Sequence, residues 1–121
     1  MKKILIADDE LPTREILSEF FTMLGFEVIE AEDGKVAIDK YQQQSPDAAL
    51  LDLQMPGMKG DEAAMLILEK NPDFPIIILS GYIDKNIAEE LLNRGIYKVL
   101  EKPVNLAQIK NIIHDIFKNI S

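Results

Sequence analysis

Residues 46–60, Pro-Asp-Ala-Ala-Leu-Leu-Asp-Leu-Gln-Met-Pro-Gly-Met-Lys-Gly, decide how this chain folds. Ala48 to Leu51 is apolar without interruption. Continuous rather than alternating apolarity marks a strand covered on both faces, as in a parallel sheet. Asp52 ends the run, and Met55-Pro56-Gly57-Met58-Lys59-Gly60 reads as a loop from its proline and glycines. A helix is expected from about Asp61 to near Asn71-Pro72. An aspartate at the end of such a run is hard to explain structurally, because an unpaired buried charge is costly.

The same strand–loop–helix pattern continues in both directions. Toward the N-terminus, Glu27-Val28-Ile29-Glu30-Ala31 alternates charged and apolar residues, and Asp33-Gly34 opens a helix through about Gln44. Before it, Ile4 to Ala7 is a short β-branched run. A helical pattern from Thr13 to Leu24 follows, with Ile16, Leu17, Phe20, Phe21 and Leu24 on its apolar face and Gly25 as its stop. Toward the C-terminus, Pro75 to Leu79 contains consecutive isoleucines, a helix runs from about Asp84 to Arg94, and Gly95 stops it. Lys98 to Glu101 is a further strand. The last helix carries Ile109, Ile112, Ile113, Ile116, Phe117 and Ile120 on one stripe, and Asn105 with Gln108 fits a capping box at its start.

Strands alternating with helices in this way predict an α/β domain with a parallel sheet. The strands beginning at Ile4, Ala48 and Pro75 are nearly all apolar and belong in the centre, whereas Glu27, Glu30, Lys98 and Glu101 mark the other two as edges. Right-handed crossovers then favour the order 2-1-3-4-5, the flavodoxin-like (βα)5 three-layer sandwich. Its switch point lies between strands one and three, and ligands bind beyond the carboxyl ends of the strands there.

Residues 1–121 are read as one domain. A chain of this size buries roughly two-thirds of its unfolded surface, enough for a core without staples. The absence of cysteine excludes disulfides and thiolate metal sites. No apolar run approaches the ~18 residues of a membrane helix, and Met1-Lys2-Lys3 leads into a strand rather than a signal peptide, so a cytoplasmic location is expected. A net charge of −8 argues against direct binding to nucleic acid and suits cationic partners or metal ions.

Chemistry-bearing residues sit where this topology needs them. Asp8-Asp9 follows strand one, Asp52 ends strand three, Ser80 follows the consecutive isoleucines, and Lys102 follows Glu101. Neighbouring strands lie about 4.8 Å apart, so a short hydroxyl suffices at position 80. Strand five is roughly 10 Å from strand three, and only a side chain as long as lysine closes that gap. Clustered carboxylates raise their own pKa values or hold a cation. Oxygen-only ligands select Mg²⁺, Ca²⁺ or Mn²⁺, and few carboxylates with open positions suit Mg²⁺, which often shares a phosphate. Lys102 would supply a point charge for that phosphate. Asp52, deepest in the crevice, is then the candidate nucleophile, since an aspartate can carry a covalent phosphoryl group.

Across its whole length the chain resembles the receiver domains of two-component response regulators. The resemblance rests on ILIADDE at residues 4–10, AEDGKVAI at 31–38, LLDLQMPGMKG at 50–60, PIIILSG at 75–81 and the Lys102-Pro103 pair. It implies that Asp52 accepts a phosphoryl group from a histidine kinase or histidine phosphotransfer protein and acts as a conformational switch. It further implies that Asp9 and Asp52 bind Mg²⁺ directly, with the Gln54 backbone carbonyl as a third protein ligand and Asp8 acting through water. Mn²⁺ is the other metal in view. Ser80 and Lys102 are implied to contact the phosphoryl oxygens, and Gln54 and Tyr82 to tune dephosphorylation. The family's Lys-Pro bond is often cis. Such a domain catalyses its own phosphorylation and hydrolysis without being a turnover enzyme.

The sequence departs from the family pattern at Val99, where a switch aromatic is usual, at Lys59, where Asp is common, and at Val104, where an aromatic commonly follows Lys-Pro. Altered readout, with signalling mainly by protein binding, is therefore one alternative. A second is a haloacid-dehalogenase-like phosphotransferase, but those enzymes carry D-x-D where this chain has Asp8-Asp9-Glu10-Leu11. A third, a flavin carrier on the same fold, needs hydroxyls and glycines in a loop that is acidic here. Glu10 divides evenly between tuning the metal site and simple solvation. His114 reads as a polar-face residue, and Met55 and Met58 as loop packing.

Overall fold

The computed structural model describes residues 1–118. Ile120, assigned above to the last helical stripe, lies outside the described residues. The elements are β1 (Lys3–Ala7), α1 (Leu11–Met23), β2 (Glu27–Ala31), α2 (Gly34–Gln44), β3 (Ala48–Asp52), α3 (Gly60–Lys70), β4 (Ile76–Ser80), α4 (Lys85–Asn93), β5 (Lys98–Glu101) and α5 (Leu106–Lys118). The strands form one parallel sheet in the order β2-β1-β3-β4-β5. The charged strands are its edges, as their composition predicts.

Side chains alternate across each strand, so the sheet feeds two cores. Leu5, Ala49, Leu51, Ile76 and Ile78 meet Ala37 of α2, Ala63, Ala64 and Ile67 of α3, and Leu91 of α4. Ile4, Ile6, Leu50, Ile77 and Leu79 meet Leu17 and Phe21 of α1 and Ile109, Ile112, Ile113 and Ile116 of α5. Every residue of β3 and β4 is buried, which is why neither strand alternates in sequence. Burying a Leu or Ile side chain contributes roughly 1.5–3 kcal/mol, so this two-sided packing is the main driving force for the sheet.

Helix ends follow local chemistry. Asp33 caps α2 by accepting from the Val36 N–H at 2.9 Å, and Asp84 caps α4 by accepting from Asn86 and Ile87. Asn105 accepts from the Gln108 N–H at 3.0 Å, the Asn half of the expected box. Helix α1 begins at Leu11, two residues before the sequence pattern starts, because Pro12 occupies its first turn, where a missing N–H costs nothing. Ile16, placed by spacing on the buried face, is 53% exposed and borders a groove beside Lys102. Met55 is buried among the first core's residues and Met58 packs against them, so the methionines of the β3–α3 loop serve packing.

Candidate functional site

The pairing of Ala7 with Leu51 sets the ends of β1 and β3 side by side, so Asp8 and Asp52 emerge together at the switch point. Only three polar or charged residues among those described are fully buried: Asp8, Asp52 and Ser80. Lys102 closes the site from β5. Its Nζ donates to Asp8 Oδ2 at 2.9 Å, to Asp52 Oδ2 at 3.1 Å and to Glu10 Oε1 at 3.1 Å. The backbone N–H of Lys102 is itself held by the Ser80 carbonyl at 2.7 Å, and the Lys102-Pro103 bond is cis, as the resemblance implies.

Two backbone devices shape the acid side. Asp8 Oδ1 accepts from the Glu10 N–H at 2.9 Å, folding the chain back on itself so that Glu10 points toward the site. Gly60 lies against the end of β3: a Cβ there would stand 2.2 Å from the Asp52 carbonyl oxygen, so only glycine permits this approach. The other Asp52 oxygen, Oδ1, accepts from the Gln54 N–H at 3.3 Å.

The electrostatics follow from this crowding. Burial first, and then the Asp8 charge, push the Asp52 pKa up to about 6, against the hydrogen bond and charge of Lys102 and the Gln54 N–H. Burial works against the Lys102 ammonium, but hydrogen bonds to Asp8, Asp52 and Glu10 outweigh it, and its pKa is raised. The pocket therefore favours a cation strongly.

Carboxylate oxygens of Asp8, Glu10 and Asp52 lie within 4.8 Å of one another. An all-oxygen donor set around an acid with a raised pKa fits a hard divalent ion such as Mg²⁺. Asp9, next in the chain, is exposed and stands outside this cluster; Glu10 takes the third place. The sequence divides Glu10 between site and solvent; the turn at Asp8 places its carboxylate beside those of Asp8 and Asp52.

Ser80 ends the strand beside β3, and its hydroxyl is engaged by the Tyr82 backbone. It donates to the Tyr82 carbonyl at 2.6 Å and accepts from the Tyr82 N–H at 3.3 Å. Tyr82 is 77% exposed. Val99 is half-buried and, with Leu53, Ser80 and Leu91, lines a cavity of about 230 Å³ beside the site.

A paired-acid corner, a buried aspartate and a cis-linked lysine on this sheet order agree with what sequence comparison finds: the model of the response regulator receiver domain matches residues 4–114. This chain belongs to that family. As a receiver domain it is 30% identical over 118 residues to the chemotaxis protein CheY of Thermotoga maritima, covering 97% of this chain and 98% of that protein. It is 30% identical over 112 residues to sporulation initiation phosphotransferase F of Bacillus subtilis, covering 93% and 90%. It is also 34% identical over 116 residues to a cyclic di-GMP phosphodiesterase of Thermotoga maritima, covering 96% of this chain but only 31% of that longer protein. The receiver domain of Francisella response regulator 1452 superposes with a TM-score of 0.93 at 25% identity over all of both chains. CheY of Borrelia burgdorferi, in a complex with CheX, BeF3 and Mg, does so at 0.89 and 28%, covering 96% and 89%.

The domain is thus a receiver of two-component and phosphorelay systems, and the dehalogenase-like and flavin-carrier alternatives are set aside. Receiver domains bind Mg²⁺ at an acidic pocket and interact with histidine kinases or phosphotransfer proteins. No helix among the described residues is long and apolar enough to cross a membrane.

Proposed function

We propose that Asp52 is the phosphoacceptor. The observation that carries this is a buried carboxylate at the switch point, 3.1 Å from a lysine ammonium and beside Asp8. In the transfer, an Asp52 oxygen attacks phosphorus in line, the bond from phosphorus to the donor imidazole nitrogen breaks, and the imidazole keeps the electron pair and takes a proton from solvent. An acyl phosphate on Asp52 and a free histidine result. Lys102 shifts its hydrogen bonds from carboxylate to phosphoryl oxygens, and the Ser80 hydroxyl leaves Tyr82 to join it.

Asp52 and the Gln54 carbonyl would hold Mg²⁺ directly together with Asp9, whose exposed carboxylate stands outside the Asp8–Glu10–Asp52 cluster and would turn inward to bind, with Asp8 acting through water. When bound, the ion neutralises charge on the transferred oxygens. Mn²⁺ meets the same donor set. The domain acts as a phosphoacceptor switch, not a turnover enzyme.

The donor is a histidine kinase or phosphotransfer protein. A groove of about 460 Å³, lined by Thr13, Ile16, Pro103, Val104 and Leu106, opens beside Glu10 and Lys102 and offers such a partner an apolar footing at the site's edge. Acetyl phosphate with Mg²⁺ is the direct test: intact mass should show one added phosphoryl group on the native chain and none on Asp52→Asn. Equal labelling of the two would overturn the assignment.

A further inference from the structure

We propose that Arg14 is a positioning residue for the divalent-cation site, fixing the acidic corner that carries Asp8, Asp9 and Glu10. Asp8 is fully buried. Its N–H still belongs to the sheet, donating to the Ala31 carbonyl at 3.1 Å, but its carbonyl has passed the end of β1 and has no strand partner. A buried carbonyl needs a donor. Arg14 supplies it: one terminal guanidinium nitrogen donates to the Asp8 carbonyl oxygen at 2.6 Å.

The guanidinium is itself fixed. Its Nε donates to Glu30 Oε1 on β2 at 3.1 Å, and the Arg14 side chain is only 15% exposed. The Arg14 backbone N–H is bound to the Glu10 carbonyl at 3.1 Å. The corner is thus bracketed, with Glu10 held to Arg14's backbone and Asp8 to its side chain. A planar fork held on β2 by Glu30 and joined to the first residue past β1 sets the peptide orientation at Asp8, and through it the direction of the three acids that follow β1. Outer groups of this kind orient the ligands of metal sites, and losing one typically costs about 10- to 100-fold in metal affinity.

A positively charged side chain beside an acidic pocket has a second, opposite expectation. If Arg14 acted only as a nearby charge, removing it would tighten Mg²⁺ binding, because the cluster would become more negative. Positioning and charge therefore predict changes of opposite sign.

The inference rests on the phosphoacceptor reading, and the two fail separately. Mg²⁺ is titrated calorimetrically into the native chain, Arg14→Met and Glu30→Ala, with acetyl phosphate labelling in parallel. Arg14→Met should raise the Mg²⁺ dissociation constant about tenfold or more. Glu30→Ala, a change on an exposed edge strand that leaves the fold intact, should raise it by a smaller factor. The double variant should bind no more weakly than Arg14→Met alone, since Glu30 acts through the guanidinium. Unchanged or tightened Mg²⁺ binding in Arg14→Met, or a purely thermal loss without a change in Kd, would overturn the proposal. Loss of labelling on the native chain would overturn the phosphoacceptor reading instead.

Discussion

Asp52 carries a cost of burial that the Lys102 ammonium, 3.1 Å away, offsets only in part. Its pKa rises from 3.8 to about 6, chiefly through burial and then through Asp8, so the native state holds a proton more tightly than the unfolded chain does. The sign for stability follows: the bound proton favours the native state, and that advantage is lost as pH rises through about 6. Without metal, the native chain should lose stability relative to Asp52→Asn between about pH 4 and about pH 6, by at most ~3 kcal/mol, with little further change above. Urea unfolding of both proteins across that range checks it. Mg²⁺ should abolish the native chain's loss and leave Asp52→Asn unaffected. Identical pH profiles for the two proteins would show that Asp52 is solvated well enough to ionise freely. The identity of this acid was legible in the sequence, because an aspartate after Ala-Ala-Leu-Leu has no structural excuse. The placement of Glu10 and Arg14 was not, because a short turn and a side chain reaching back across it leave no mark on periodicity or composition.

At the scale of elements, the loop from β3 to α3 converts strand order into a site. Strand order itself could be read from which runs were wholly apolar, since two-sided burial leaves no alternation. Glycine spacing could be read only as a loop, because nothing in Met55 to Gly60 states what the backbone touches. The structure separates two glycines that look alike. A Cβ on Gly60 would stand 2.2 Å from the Asp52 carbonyl oxygen, whereas one on Gly34 would stand 2.3 Å from the Met58 carbonyl oxygen. Both Gly60→Ala and Gly34→Ala should destabilise, by about 1–3 kcal/mol or more, as overpacking does. Only Gly60→Ala presses on the strand end that aims the nucleophile, and small misplacements of a reacting group cost rate steeply. At a temperature where both are folded, acetyl phosphate labelling should therefore slow about tenfold or more in Gly60→Ala and stay near native in Gly34→Ala. Equal rates in the two variants would mean that the loop shifts as one body and that the Gly60 contact has no special role.

Over the whole molecule, the question is how far a phosphoryl group at Asp52 is felt. Moving a two-state equilibrium from 1:99 to 99:1 takes about 5.5 kcal/mol. Hydrogen bonds to charged groups contribute roughly 1.5–3 kcal/mol each, but Lys102 already makes such bonds to three carboxylates, so its gain on phosphorylation is only a difference. Ser80 has more to change. Its hydroxyl holds the Tyr82 backbone, the next N–H at Ile83 reaches Glu101 of β5 at 3.4 Å, and Asp84 then caps α4. Helix α4 is also the least anchored: Leu91 is its one buried residue, where α1 and α2 bury two each, α3 five and α5 four. Elements with few buried contacts open first. Val99 offers no ring to swing into the cavity beside Ser80, so the route open to the signal is the 80–84 segment and the first turn of α4 rather than β5. Beryllofluoride with Mg²⁺ should shift backbone amide resonances of residues 81–87 as well as those around Asp52, while Val99 and Leu100 move less. Ser80→Ala should keep the shifts around Asp52 and lose the set at 81–87. Native shifts confined to the Asp52 pocket would show that this receiver binds its phosphoryl group without moving α4, and a full response in Ser80→Ala would show that the route does not run through the hydroxyl.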